Sequence, residues 1–395
     1  MNENRDADIA VLGGGLAGGL IALALTRHRP DLRVVLVERD AQLGGNHVWS
    51  FFASDLSPQG QHLVEPLVCA RWEGYSVRFA GLSRDLASPY RAITSARLDA
   101  LLRETLPAGA VLTGTEVAEA TPTAVRLADG RSLSVGGVID ARGAGALPHL
   151  AGGWQKFLGQ MVRTTRPHGL ARPIVMDAAV EQVDGFRFVY CLPFSADTLF
   201  IEDTYYADGP ALDAPALRAR IAAYARANGW EIAAIEGEET GVLPVVAGGD
   251  WHAFRAATDR GVALAGVRAG LFHPLTSYSL PDAVSFALDL ARAPDLSGRG
   301  LLGLSRDRAR AHWRKGGFYR MLSAMLFGAA PPAERHKVLR RFYGLDQRLI
   351  ERFYAGRTTM ADKARILIGR PPVPLGAAVR AIAGRAPLTP LGIAP

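Results

Sequence analysis

Cysteine is scarce in this chain. It has two, Cys69 and Cys191, far apart and without the spacing of a zinc site or a redox pair. A disulfide framework is not implied, and neither is a CxxC centre. The chain also lacks any run approaching the roughly 20 apolar residues needed to span a bilayer as a helix. Its polar start, Met1 to Asp8, leads straight into an apolar segment, without the basic, apolar, small-residue order of a secretion signal. No internal repeat or low-complexity tract is present. With 49% apolar and 21% charged residues, the composition is that of a folded globular protein. These absences set the expectation of a protein on the cytoplasmic side, and 395 residues suggest about two domains.

What is present is first an uneven charge. Residues 301–395 hold 18 Lys and Arg against 5 Asp and Glu, a net of +13 in a chain whose whole balance is +7, so residues 1–300 carry −6. A basic end points to an anionic partner, either nucleic acid or an anionic membrane surface. No recognition motif accompanies the charge, so nucleic acid is set aside.

Residues 8–13 (DIAVLG) read as a buried strand, 16–28 as a Leu- and Ala-rich helix, and 33–38 (RVVLVE) as a second buried strand. Between the first two lies Gly13-Gly14-Gly15-Leu16-Ala17-Gly18, a G-x-G-x-x-G, with Glu38 twenty residues beyond Gly18. In that strand–turn–helix context the pattern is a dinucleotide fingerprint. Gly13 serves the tight turn, Gly15 lets backbone N–H groups approach a pyrophosphate, and Gly18 permits close helix–strand packing. The helix N-terminus supplies partial positive charge, and Glu38 would accept hydrogen bonds from ribose hydroxyls. Three later segments favour FAD over a simple NAD module: the loop Leu43-Gly44-Gly45-Asn46, the run Val138 to Gly143 with Asp140 inside it, and the strand over 262–267 with Gly266. Arg97, on the helix over 95–106 with Ser95 as its expected N-cap, completes the set of expected cofactor contacts.

From about 155 to 250, short apolar and aromatic runs alternate with turn signals. They read as a mostly antiparallel sheet broken by a helix near 215–228. A helix follows over 281–293, and from 305 onward the pattern is helical, basic and amphipathic. The expected fold class is α/β: a Rossmann-type FAD-binding domain of residues 1–150 and 255–300, an inserted antiparallel sheet domain of 151–254 for substrate, and a basic, membrane-facing helical region of 301–395. Within that region the apolar, Met- and aromatic-rich segment 317–327 suits interfacial binding. A packed helical cap with a solvated basic face is the other reading.

The run Thr198-Leu199-Phe200-Ile201-Glu202-Asp203-Thr204 ends an apolar strand with two acids. Side chains alternate along a strand, so Glu202 shares a face with Phe200 and Thr204, and Asp203 with Ile201 and Tyr205. One acid at most faces a given pocket. A carboxylic acid in an apolar cavity has its pKa raised and can donate a proton at neutral pH; a solvated strand end with ordinary surface acids is the alternative.

Five segments together resemble the bacterial lycopene β-cyclases, a carotenoid-pathway flavoprotein family: GGGLAGGLIA, GGNHVWSFF at 44–52, PIVMDAAVEQVDGFRFVYCLPF at 173–194, TLFIEDTYYAD at 198–208 and GVRAGLFHPLTSYSLPDAV at 266–284. The resemblance implies a fold like that of geranylgeranyl reductases and aromatic hydroxylases. It implies conversion of lycopene, through γ-carotene, to β-carotene at the membrane surface. It also implies a need for reduced FAD with NADPH as the electron source, although the net reaction is an isomerisation. The family's acid motif matches Phe200 to Thr204, with its essential first acid at Glu202 and its second at Asp203. His273, in Gly270-Leu271-Phe272-His273-Pro274, is a candidate base or flavin contact, against the plainer reading of a structural histidine. Two positions depart from related patterns. Val267 stands where the wider flavoprotein superfamily has Asp, and Ser277 stands where the cyclases usually have Gly in the Thr-Gly-Tyr-Ser turn, which puts that turn's geometry in question. The alternative function is an FAD-dependent monooxygenase or reductase acting on another isoprenoid.

Overall fold

The fold was analysed in a computed structural model that describes residues 5–368, 374–384 and 388–392. Residues 369–373, 385–387 and 393–395 of the expected basic helical region lie outside that range. The N-terminal βαβ unit forms as the sequence predicts. Strand β1 (Ala7–Leu12) leads into helix α1 (Leu16–His28), which returns to strand β2 (Val34–Val37). Both strands are almost wholly buried, because α1 covers one side and the chain later covers the other. β1 lies between β2 and the strand Ser132–Asp140, parallel to both. The short strand Ala263–Leu264 adds parallel beside Ser132–Asp140. Parallel strands need crossover connections, and the one between these last two contains five strands of a second, mostly antiparallel sheet.

That layer is the larger sheet. Its strand order is Ile232–Gly249, Leu150–Thr164, Thr198–Ala207, Phe186–Pro193, Ile174–Asp177, Tyr75–Phe79 and Leu82–Leu86. The last two come from a segment that the sequence reading left with the nucleotide-binding residues, so the chain visits this sheet twice. One face packs on the helix Ala214–Ala227 through Leu217, Ile221 and Tyr224. The other face turns toward the nucleotide-binding sheet and the C-terminal helices. A small third sheet, Val48–Phe52 with Tyr90–Thr94 and Val68–Trp72, bridges the two.

Three local expectations change. The strand over 262–267 stops at Leu264, because Gly266 takes φ +61° and opens a short 3-10 turn, Gly266–Ala269. The helix Ser95–Thr105 is capped by Thr94, whose Oγ1 accepts the Arg97 N–H at 3.3 Å. Ser95 is unavailable as a cap because its hydroxyl donates to Gly44 O at 2.8 Å and accepts the His47 N–H at 2.6 Å. The helix Gly317–Gly328 is a packed cap: Tyr319, Ala324, Leu326 and Phe327 are buried, and the Phe327 ring occupies the space over Gly153 where a Cβ would stand 2.0 Å from it. Its apolar face is therefore used inside the molecule.

The C-terminal helices are tied down by buried arginine. Arg335 is 1% exposed; it donates to Leu326 O at 3.1 Å and to the Asp208 carboxylate at 2.6 Å, and its guanidinium lies 4.6 Å from the Phe327 ring. Arg84 reaches from the sheet edge to Tyr343 O at 2.8 Å. Among the described residues no helix is long and apolar enough to cross a membrane.

Candidate active site

A single cavity of 790 Å³ runs from the glycine turn after β1 to the inner face of the large sheet, within the size range of small-molecule sites. Its first end is built by the βαβ unit. Gly13 takes φ +93°, a conformation that suits glycine, and a Cβ at Gly18 would stand 1.9 Å from Gly13 O. These two glycines let α1 begin close against β1. Gly15 caps α1 without any side-chain bond, so the first N–H groups of the helix are left for a ligand. Gly13, Gly15, Leu16, Ala17, Glu38, Gly45, Gly143 and Gly266 all line the cavity. A Cβ at Gly15 or Gly143 would meet nothing within 4 Å; the open space at these glycines is a cradle for a ligand backbone. Glu38 accepts the Gly14 N–H at 2.6 Å and the Asp40 N–H at 3.0 Å, which fixes its carboxylate at the rim. The donor set, the open cradle and the acid at the strand end fit a dinucleotide.

The second end is set by strand register. Tyr190 pairs with Glu202, Glu202 with Gly159, and Gly159 with Glu239. Paired residues share a face, so a row of Tyr190, Glu202, Gly159 and Glu239 crosses the sheet. The three with side chains line the cavity. The Phe200 ring lies over Gly159, where a Cβ would come within 2.3 Å of it. Phe157, Phe188 and Tyr206 continue the wall.

Glu202 is half-buried, and its exposure is to this cavity. Its carboxyl is pushed up to about 8, chiefly by burial and next by the Glu239 carboxylate, with the Thr204 hydroxyl donating to it and acting in the opposite direction. Beside it is a hydroxyl cluster. Tyr90 stands 2.8 Å from both Ser50 and Tyr190, and 3.3 Å from Tyr278, while Ser50 also bonds Tyr190. Burial raises all three phenols well above their ordinary range, so they stand as neutral donors.

Asp203 faces the other way. It is fully buried on the helix side of the sheet, where the Arg187 guanidinium grips it with Nε at 3.0 Å and Nη2 at 2.6 Å. Burial pushes its carboxyl up and Arg187 pulls against that. His273 does not line the cavity. Its Nδ1 accepts the N–H groups of Leu275 and Thr276 at 3.3 and 3.2 Å, so the proton belongs on Nε2. Burial lowers its pKa to about 3, and its ring lies 4.4 Å from that of Tyr319. It organises the turn that presents Tyr278.

Other expected contacts also lie behind the wall. Asp140 holds the Arg142 guanidinium at 3.0 and 2.8 Å and so shapes the Arg142–Gly143 loop. Asn46 donates to Glu238 O at 2.9 Å and pins its loop to the large sheet. Arg97 donates to Pro66 O at 2.9 Å and does not line the cavity, and neither do Gly14 and Gly18. Sequence reasoning missed Glu239, Tyr190, Ser50 and Arg142. Strand alternation could place Glu239 and Tyr190 on one face of their own strands; only pairing puts them beside Glu202.

The departure at Ser277 is resolved by its backbone. Ser277 adopts φ +57°, the left-handed conformation that glycine takes freely, and its Oγ donates to Pro244 O at 2.7 Å. The turn keeps a glycine-like shape with a serine in place.

A family model described as lycopene cyclase protein matches residues 8–380. The chain is 50% identical over 375 residues to a lycopene beta-cyclase from Pseudescherichia vulneris, covering 95% of this chain and 96% of that protein. Among solved structures it resembles a geranylgeranyl bacteriochlorophyll reductase-like protein from Thermoplasma acidophilum, with a TM-score of 0.56 at 11% identity over 96% of both chains. It also resembles p-nitrophenol 4-monooxygenase from Pseudomonas putida, with a TM-score of 0.60 at 17% identity over 89% of this chain and 98% of that one. The two structural likenesses establish the α/β, Rossmann-type fold class, and the match over nearly the whole sequence establishes that the chain belongs to the lycopene cyclase family.

Proposed function

We propose that this protein catalyses the acid-initiated, non-redox cyclisation of lycopene through γ-carotene to β-carotene, using FAD held in its reduced state with NADPH as the electron source. The observation that carries the reading is Glu202, a carboxylic acid kept protonated in a largely aromatic part of the cavity that opens at its other end on a dinucleotide cradle. The family and the activity of the Pseudescherichia vulneris relative point the same way.

An alkene is a very weak base, so its proton donor must be a neutral acid in a dry site. Glu202 delivers a proton to C2 of the terminal double bond, leaving a tertiary cation at C1. The C5=C6 bond attacks C1, and loss of the C6 proton completes the β-ring. The face of Tyr278, which lines the cavity, stabilises the cation by about 0.5–2 kcal/mol without trapping it, and the buried Phe200 ring backs the wall over Gly159. A bound, reduced flavin would supply negative charge to offset the developing cation. The chain's own part toward that cofactor is the N-terminus of α1 for its phosphates, Glu38 for its ribose, and the Gly45, Gly143 and Gly266 backbone for close approach. Asp203 supports the sheet through Arg187, and His273 supports the turn of Tyr278.

Lycopene is a hydrocarbon of the bilayer, so the protein works as a peripheral enzyme on the cytoplasmic face. Among the described residues, Met360, Leu367, Ile368 and Val379 are exposed large apolar side chains of the C-terminal helices, and Lys363, Arg365 and Arg380 stand among them in sequence. This mixture suits an anionic lipid surface. The deciding experiment is expression in lycopene-accumulating cells with pigment analysis. Cyclised carotenes are expected, and unchanged lycopene overturns the reading.

A further inference from the structure

Glu202 has a partner on the far side of the central strand. Gly159 is flanked by Glu202 on one neighbouring strand and by Glu239 on the other. Only a glycine separates the two acids in their row, and both line the cavity. Their backbones are two strand spacings apart, about 10 Å, and both side chains open on the same cavity. Among the described residues, no other carboxylate of the large sheet lines this cavity.

Glu239 is 3% exposed, yet its Oε2 accepts the Val48 N–H at 2.9 Å and lies 3.2 Å from His47 Nδ1. Both partners belong to the segment that follows Gly44, Gly45 and Asn46, and Asn46 bonds the backbone of the adjacent Glu238. Glu239 therefore joins the dinucleotide end of the cavity to the acid end.

We infer that Glu239 is a positioning carboxylate for ring closure: fixed by the His47–Val48 segment and set across Gly159 to act on the Glu202 carboxyl. The inference rests on the reading of Glu202 as the proton donor. Among the other groups around Glu202, Asp203 also pushes its carboxyl up, from the opposite face and by less than Glu239. Tyr190, Tyr90 and Tyr278 face it as neutral phenols. Thr204 donates a hydroxyl from its own strand. His47 approaches Glu239 from the loop. Asp203 lies on the opposite face, gripped by Arg187.

The test uses the full-length, FAD-loaded protein with lycopene in phosphatidylcholine vesicles and dithionite as reductant. Glu239→Gln keeps an oxygen for the Val48 N–H and removes the charge. Two quantities are read: the pH profile of β-carotene formation, and the infrared titration of the protonated carboxyl assigned by its absence in Glu202→Gln. Removing the repelling charge lowers the Glu202 pKa. The alkaline limb and the carboxyl titration should both move to lower pH by about one unit, a tenfold loss of the acid form on that side. Glu239→Asp, which draws the charge back by one methylene, should shift both in the same direction by less. A merely structural Glu239 would change the rate without moving either midpoint, and that result overturns the inference. A Glu202→Gln protein that still cyclises lycopene overturns the donor reading instead, and the carboxyl titration in Glu239→Gln keeps the two failures apart.

Discussion

Glu202 and Asp203 are neighbours in sequence, and the pleat of one strand sends them into different chemistry. Glu202→Gln should leave FAD bound, seen by its absorbance, and abolish cyclisation; full β-carotene formation would remove Glu202 from the donor role. Asp203→Asn acts elsewhere. It leaves the Arg187 guanidinium buried without its counter-charge, a change that typically destabilises by about 3–5 kcal/mol. The expected result is a lower urea midpoint, with activity retained by the fraction that remains folded. Glu202 also sets a pH dependence. Its carboxyl is pushed up to about 8, so activity should fall as pH rises through that value. The sign for stability is the same: the folded chain holds a proton that the unfolded chain releases at its ordinary, lower pKa. The wild type should therefore lose stability relative to Glu202→Gln as pH rises from that value toward about 8. Melting curves of the two proteins across this window would show the difference grow.

At the scale of single elements, the turn after His273 shows how a substitution in a family pattern can keep its shape. Ser277 holds φ +57°, a left-handed conformation that costs a non-glycine residue roughly 1–2 kcal/mol. Its Oγ bond to Pro244 O offsets that cost. Ser277→Ala keeps the strain and leaves a buried carbonyl without this donor, a loss of about 1–3 kcal/mol. Ser277→Gly loses the same bond but sheds the strain, so its loss should be the smaller of the two by thermal unfolding. Equal losses would place the strain elsewhere. The βαβ unit is legible at this scale because its rules are local: Gly13 and Gly18 are required by a tight turn and a close helix approach, and both constraints lie within six residues. The acid strand is legible only in part. Alternation separates Glu202 from Asp203, but which face meets the cavity depends on the neighbouring strands. His273 stands next to Pro274 and close to Tyr278, and from the sequence it reads as well as a base as it does as the hub of a turn.

At the scale of the molecule, the basic C-terminal region divides its tasks. The helix Gly317–Gly328, apolar by sequence, covers the large sheet, while Met360, Leu367, Ile368 and Val379 remain exposed further along. The protein should therefore sediment with phosphatidylglycerol vesicles at low salt and be released as salt screens the basic residues, each worth about 1 kcal/mol near an anionic surface. Leu367→Glu combined with Val379→Glu should weaken that binding several-fold while the melting temperature stays close to wild type. Unchanged sedimentation would assign the lipid contact to another surface.

By itself the sequence determines the dinucleotide turn, the alternation of the acid strand and the family, because each of these is carried by residues close together or by segments in a fixed order. The tertiary structure decides what lies across the sheet. Tyr190, Glu202, Gly159 and Glu239 come from four strands and meet through register alone. Register is set by pairing over long sequence separations, and a slip of one residue would exchange the faces. The same folding decides that the Met-rich helix packs one face against the large sheet and that one of two adjacent acids, Glu202, opens on the cavity.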